Sequence, residues 1–250
     1  FGADYLATGH YCQALDGKLI KGCDKNKDQT YFLYTIKEEI LKKVLFPIGH
    51  LEKKFVREIA TDYKLSTFNK KDSTGICFIG ERNFKQFLSQ YIKSQKGHFV
   101  NLESKAILGK HDGMCFYTPG QRKGMGIGGP GGPWFVASKD VESNTVYVVE
   151  GDKHPALYAD YLRASELSWV GEIPEFPAKL KAKIRYRQSD QDCTVYYEDG
   201  ELLVEFNTPQ RAISLRQSIV FYKESTCIGG AMISSIGPSY FESKKELTNI

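Results

Sequence analysis

Cys77 is the residue in this chain with the most chemistry to offer. It sits in Asp72-Ser73-Thr74-Gly75-Ile76-Cys77-Phe78-Ile79-Gly80-Glu81-Arg82, after a glycine-bearing turn and before an expected helix start. Asn83 is suited to cap that helix, with Gln86 placed to reach back to it. Phe84, Phe87, Leu88, Tyr91 and Ile92 then fall on one apolar helical face. Lys70 and Lys71 precede the cysteine and Arg82 follows it. Cations and a helix N-terminus both favour thiolate over thiol, and the thiolate is the nucleophile. Taken alone, the same residues also fit a small buried cysteine in a loop.

The elements that must position this group belong to a chain of 250 residues, long enough for a real core and for more than one domain. Lys+Arg 34 against Asp+Glu 30 leaves +4. That total permits nucleic-acid binding without arguing for it, because a basic patch is the footprint. No run is long enough for a transmembrane helix. The start, Phe1-Gly2-Ala3-Asp4, lacks the basic-then-apolar order of a signal peptide. The six cysteines, Cys12, Cys23, Cys77, Cys115, Cys193 and Cys227, contain no CxxC pair. This argues against a zinc site and against a secreted disulfide framework, and for a reducing, cytoplasmic setting.

Ala3–Ala7 reads as a buried strand and Thr8-Gly9-His10 as the turn after it. Ligands bind at such carboxyl ends in open α/β sheets, although on these residues alone a turn glycine and a surface histidine is the favoured reading. Tyr11–Gly22 predicts a hairpin about Asp16-Gly17. The polar Asp24–Thr30 leads into Tyr31-Phe32-Leu33-Tyr34, a solvated loop and a buried helix start. Ile36–Val44 is a helix candidate ending near Pro47-Ile48-Gly49. His50–Tyr63 is amphipathic, with Leu51, Phe55, Val56, Ile59 and Ala60 on one face.

From Gly97 short strands are expected over His98–Leu102, Ala106–Leu108 and Met114–Thr118. The glycine-rich Pro119–Pro133 leads into a strand at Trp134–Val136, whereas phosphate-binding glycine loops lead into a helix N-terminus. It is either a connection or a loop that orders on a partner, with Arg122 and Lys123 available to phosphates. Trp134–Ser138 and Thr145–Glu150 read as paired strands with Asn144 in the turn. From Tyr158, short strands recur with turn signals at Asp199-Gly200, Thr208-Pro209 and Lys223-Glu224, which suggests a small barrel or sandwich. Lys179, Lys181, Lys183, Arg185 and Arg187 alternate, placing them on one face of a strand. Such a ridge is a solvated face or a phosphate track. The polar tail from Ser239 is expected to fray.

The Cys77 stretch resembles a segment of the tRNA-specific 2-thiouridylases. The resemblance extends, in order and spacing, through Ala3–Tyr11, Asp24–Thr35, Phe46–Gly49, Thr118–Gly129 and Ile184–Gln188. It implies an α+β multidomain chain. Residues 1–78 would end a Rossmann-like α/β ATP-pyrophosphatase domain, 79–155 form a small mixed central domain, and 156–250 an antiparallel β-barrel. It implies wobble-uridine 2-thiolation: ATP with Mg adenylates the uridine C2 oxygen, and a persulfide carried on Cys77 attacks C2 to give 2-thiouridine. The sulfur would come from a sulfur-relay or cysteine-desulfurase protein, and a second, earlier cysteine would release it by forming a disulfide with Cys77. Gly9 matches an ATP contact; His10, Lys27, Asp28, Gln29, Arg185, Tyr186 and Gln217 match tRNA contacts around the anticodon loop. Lysine suits phosphate, while Asp and Gln can read sugar or base edges. One departure is Leu215-Arg216-Gln217, where the family often has Pro-Gly-Gln. A cytoplasmic monomer without membrane attachment or a metal cluster is implied.

Two parts of that machinery have no match here: a Ser-Gly-Gly-x-Asp-Ser type phosphate loop and an Asn-Pro-x-x-x-Cys segment. Cys12 and Cys23 stand in the wrong context to replace the second cysteine. The chain therefore reads as the carboxyl-terminal two-thirds of a thiouridylase and is expected on its own neither to bind ATP well nor to thiolate tRNA. The other classes to weigh are a non-catalytic RNA-binding module and a sulfur carrier acting on small molecules.

Overall fold

The computed structural model describes residues 2–70, 87, 90–92, 95–129 and 131–247. Cys77 and the helix start expected at Asn83 lie outside them. The chain divides into two compact units. One comprises Phe1–Lys70, Asp160–Pro209 and Leu215–Gly237; the other comprises Lys71–Ala159, Gln210–Ser214 and Pro238–Ile250.

The first segment runs Leu6–Ala7 (β1), Cys12–Leu15 (β2), Lys18–Lys21 (β3), Thr30–Leu33 (α1), Glu38–Leu41 (α2), Val44–Leu45 (β4) and Lys53–Asp62 (α3). The Asp16-Gly17 hairpin forms as expected: β2 and β3 pair from Leu15↔Lys18 to Cys12↔Lys21. Asp16 and Gly17 take φ 49° and 76°, the turn whose twist matches that of the flanking strands. The strand expected at Ala3–Ala7 is only two residues long, paired in parallel with β4. It is also not buried: Tyr5 and Leu6 are 62% and 63% exposed, whereas a parallel sheet needs cover on both faces. Ile36–Val44 does not form one helix. The Glu38 amide is taken by the Val170 carbonyl, and the Lys43 and Leu45 carbonyls accept from Leu6 and Thr8. Strand pairing thus captures Val44 after a single helical turn. The amphipathic helix forms as α3, but none of its residues is buried.

In the second unit, Gly97–Asn101 (β5), Ile107–His111 (β6), Trp134–Asp140 (β7) and Thr145–Glu150 (β8) form a sheet of order β6-β5-β8-β7. β5 and β8 are parallel; the other pairs are antiparallel. Alternation buries Phe99, Val136, Val146 and Val148 completely. Met114–Thr118 is not a strand. Gly113 and Met114 carbonyls accept from Phe116 and Tyr117 in a 3-10 turn, which drops the Tyr117 ring edge-on against Phe99 at 4.9 Å.

The remaining strands are Tyr158–Trp169 (β9), Ala178–Lys183 (β10), Gln191–Glu198 (β11), Glu201–Arg211 (β12), Ser218–Lys223 (β13) and Thr226–Ile236 (β14), which belong to the first unit except for the first two residues of β9 and the last two of β12. The order β13-β10-β11-β12-β9-β14 closes through β13–β14, giving a six-stranded barrel. Inward positions are apolar: Leu162, Ala164, Ala182, Val195, Leu202, Val204, Ile219 and Ile233 are all fully buried. Thr208-Pro209 is not a turn but part of β12. The β11 partner ends at Cys193↔Phe206, so Pro209 lies beyond that ladder and interrupts no pairing with β11. At its start β14 also pairs with β3, Cys227↔Leu19, which welds the hairpin onto the barrel. Leu19, Tyr31, Leu41, Val170, Val220 and Tyr222 form their common core.

His111 carries a titration into the second unit. It is buried, its Nδ1 accepts from the Gly113 amide at 3.2 Å, and its ring lies 5.4 Å from that of Phe99. Burial, the largest influence, holds its pKa below the ordinary 6.5. The unfolded chain therefore protonates first as pH falls. Stability is intact above about pH 6.5 and declines below it until the folded imidazole is protonated too. His111→Asn keeps an acceptor for Gly113 and removes the proton. Between pH 7 and 5 its urea midpoint should fall less than that of the wild type; equal slopes would reject the assignment.

Candidate nucleic-acid interface

The loop after β3 is built around two carboxylates. Asp24 accepts at its backbone carbonyl from the Lys27 and Asp28 amides; its Oδ1 accepts from Asn26 and its Oδ2 from the Lys53 amide at the start of α3. Asp28 is buried. Its Oδ1 accepts from the Gly22 amide at 3.1 Å and from the Thr30 amide, and both carboxylate oxygens lie within 3.0 Å of the Thr30 hydroxyl. Gln29 Oε1 accepts from the Tyr11 amide at 2.9 Å while the Gln29 amide donates to the Tyr11 carbonyl.

Lys183, the last residue of β10, reaches this loop from the barrel. Its Nζ lies 3.7 Å from Asp28 Oδ2 and 3.8 Å from Asp190 Oδ1. Lys21 bridges to Asp190 at 2.5 Å. Lys21 and Lys183 stand 4.0 and 5.3 Å from the centre of the Tyr222 ring, a cation–π pairing. The Tyr222 hydroxyl is 3.2 Å from that of Thr30. Burial pushes its phenol well above the usual range. Two lysines and two aspartates thus balance in a polar knot. The expected ridge of basic residues accordingly breaks. Lys179 is exposed and Lys183 buried, and Arg185 and Arg187 lie past the end of β10, in a turn where Gln188 Oε1 accepts from the Ile184 amide.

That turn brings Tyr186 against the loop. Its hydroxyl donates to the Lys27 carbonyl at 3.4 Å, and its ring packs at a tilt of 40° against that of Phe32, 4.5 Å away. Between loop and turn opens a cleft of about 380 Å³, lined by Lys25, Lys27, Asp28, Lys183, Tyr186 and Arg187 among others. The structure therefore joins Lys27 and Asp28 to Tyr186, beside Arg185. Gln29 is tied beneath, to the hairpin. His10 is half-buried, with Nδ1 2.8 Å from the Thr8 hydroxyl, and does not line the cleft. Gln217 is exposed at the entry to β13, its carbonyl accepting from Ile233, next to Ser218, which Tyr31 and Tyr34 hold. Arg216 takes φ 63°, so the turn keeps the left-handed conformation in which the family's glycine is unstrained. Sequence reasoning missed Phe32 and the knot; the one available signal was a lysine set between the apolar Ala182 and Ile184.

Gly9 lies exposed after β1. A Cβ there would meet only Ile48 Cδ1, at 3.9 Å. The backbone at Gly9 is therefore open to close approach by a ligand. Cys12, Cys193 and Cys227 are buried, and desolvation pushes each thiol up to about 12. Cys12 is thus held as the neutral thiol. Among the described residues no group of three or more His, Cys, Asp or Glu is placed to hold a metal ion, and no helix is long and apolar enough to cross a membrane.

A six-stranded barrel carrying a charged loop, and a separate four-stranded sheet unit, define a multidomain chain, and comparison with known proteins gives its family. Residues 1–81 match the family described as tRNA methyl transferase HUP domain, 85–150 the tRNA methyl transferase PRC-barrel domain, and 159–233 the aminomethyltransferase beta-barrel domain. The chain is 55% identical, over 98% of its length and 67% of the relative's, to the tRNA-specific 2-thiouridylase MnmA of Protochlamydia amoebophila. The same-named proteins of Alkaliphilus oremlandii and Francisella tularensis are 53% and 54% identical, over 66% and 67% of their lengths. The chain belongs to the tRNA-specific 2-thiouridylase family and spans about two thirds of the length of these relatives. Its HUP portion is of a kind that implies ATP use.

Removing one partner of a buried ion pair leaves the other unpaired. Asp28→Ala is expected to cost on the order of 3 kcal/mol in urea unfolding. Asp28→Ala with Lys183→Met should recover part of that loss, because both charges are then gone. A cost below about 1 kcal/mol for Asp28→Ala would show that the pair does not hold the loop.

Proposed function

We propose that this chain is the tRNA-holding part of an enzyme that thiolates wobble uridine at C2, with Cys77 carrying the persulfide sulfur. The observation that carries the reading is the cleft. Lys27 and Tyr186 meet there from 159 positions apart, and Lys25 and Arg187 stand at its walls. Cations at a groove beside an aromatic ring are what a phosphate backbone with unpaired bases requires. On this reading His10, Asp28, Gln29, Arg185 and Gln217 surround the same RNA, Asp28 and Gln29 by shaping the loop that touches it. Gly9 would meet ATP with Mg, the sulfur would arrive from a sulfur-relay or cysteine-desulfurase protein, and the working form is a cytoplasmic monomer. Its domains run 1–78, 79–155 and 156–250.

The test is binding of tRNA across a salt series. Affinity is expected to fall steeply with salt, and Arg185→Ala to make the log–log slope shallower by about one, the share of a single phosphate contact. Cys77→Ser should leave affinity unchanged while abolishing sulfur transfer in the enzyme of full family length. Supplied alone with ATP and a persulfide donor, these 250 residues should bind tRNA and leave it unthiolated. Salt-insensitive or absent tRNA binding would favour the small-molecule sulfur carrier. Sulfur transfer retained by Cys77→Ser would favour the non-catalytic RNA module.

A further inference from the structure

We propose that Phe32, held against Tyr186, is a stacking platform for an unpaired nucleobase of the bound RNA; the proposal rests on the tRNA reading above. Phe32 sits on α1 with 55% of its surface exposed. A single exposed apolar side chain needs no explanation, but this one is held in place. Its ring lies 4.5 Å from that of Tyr186 at 40°, and the Tyr31 ring meets it edge-on at 5.5 Å and 86°. Both supports are anchored. Tyr31 is buried and donates to the Ser218 carbonyl at 2.7 Å, and Tyr186 donates to the Lys27 carbonyl. A ring fixed before binding loses little freedom when a ligand stacks on it.

The surroundings select the ligand. Tyr186 is a wall of the cleft that Lys25, Lys27 and Arg187 also line, so an anion site and an aromatic surface lie side by side. A nucleotide presents that pair of features, a phosphate and a base with a π-face. Single-stranded RNA is characteristically bound by stacking such bases on aromatic side chains next to a cationic groove. A peptide partner would instead call for apolar neighbours around Phe32, whereas its ring packs against Tyr31 and Tyr186, next to the cationic cleft.

Stacking and phosphate contacts separate by their salt dependence. Binding of tRNA to the whole chain is measured by fluorescence anisotropy at several salt concentrations for wild type, Phe32→Leu, Phe32→Trp and Arg185→Ala, with a fully paired RNA duplex of similar length as control. Phe32→Leu is expected to weaken tRNA binding about tenfold at every salt concentration, leaving the slope unchanged. Phe32→Trp should bind at least as tightly as wild type. Neither should change affinity for the duplex, which offers no unpaired base. Unfolding midpoints of the variants establish that they are folded, and Phe32→Trp keeps the test open should Phe32→Leu be unstable. Wild-type affinity in Phe32→Leu, an equal loss on the duplex, or weaker binding by Phe32→Trp would overturn the platform. If those results come with the Arg185→Ala change in slope intact, the tRNA reading survives. No binding of tRNA by the wild-type chain would sink both.

Discussion

A carboxylate as deeply buried as that of Asp28 has to be compensated where it stands. Taking a charge out of water costs several kcal/mol even after relaxation, and only partners already in place return it. Asp28 finds them in two directions. The Gly22 and Thr30 amides and the Thr30 hydroxyl come from its own loop, and Lys183 comes from the barrel. The loop therefore cannot shift without stranding a charge. Its position relative to β10 follows from the pair, and with it the width of the cleft between loop and turn.

The same balance decides which cations face inward and which outward. Lys183 and Lys21 are taken up by Asp28, Asp190 and the face of Tyr222. They neutralise the knot and position its neighbours; they are not free to meet a phosphate. Lys25 and Arg187 are exposed at the rim. A ligand entering this cleft would meet positive charge at the edge over a neutral floor. That suits a polyanion better than a small isolated anion, which would need a cation at the bottom.

Much of this was legible in the residues. Asp16-Gly17 between strand-like runs could only be a hairpin, and alternating apolar residues after Tyr158 produced the barrel strands almost where they stand. What could not be read was decided by partners distant in sequence. Val44 leaves its helix because Leu6 offers a backbone to pair with. Lys183 leaves the solvated ridge because Asp28 waits opposite, a separation that no local period reports. Pro209 reads as a turn unless one knows that the ladder with β11 has already ended. The site was legible as two motifs, Lys27-Asp28-Gln29 and Arg185-Tyr186, but their meeting was not. Nor was the distinction between Lys27, at the surface of the cleft, and Gln29, engaged in holding Tyr11.

The thiols follow a related logic. Desolvation lifts Cys12, Cys193 and Cys227 to about 12, so at neutral pH they are protonated and unreactive. Each is also packed where a sulfur donor has no access. A protein that hands sulfur on through a thiolate must keep the persulfide from migrating to its own other cysteines by exchange. Burial does this without any dedicated device, because the apolar surroundings that make cysteine a good core residue also remove its nucleophile. In the reaction proposed for this chain, selectivity among thiols is then a by-product of packing. The chemistry at Cys77 has only to be faster than that of the more accessible Cys23 and Cys115.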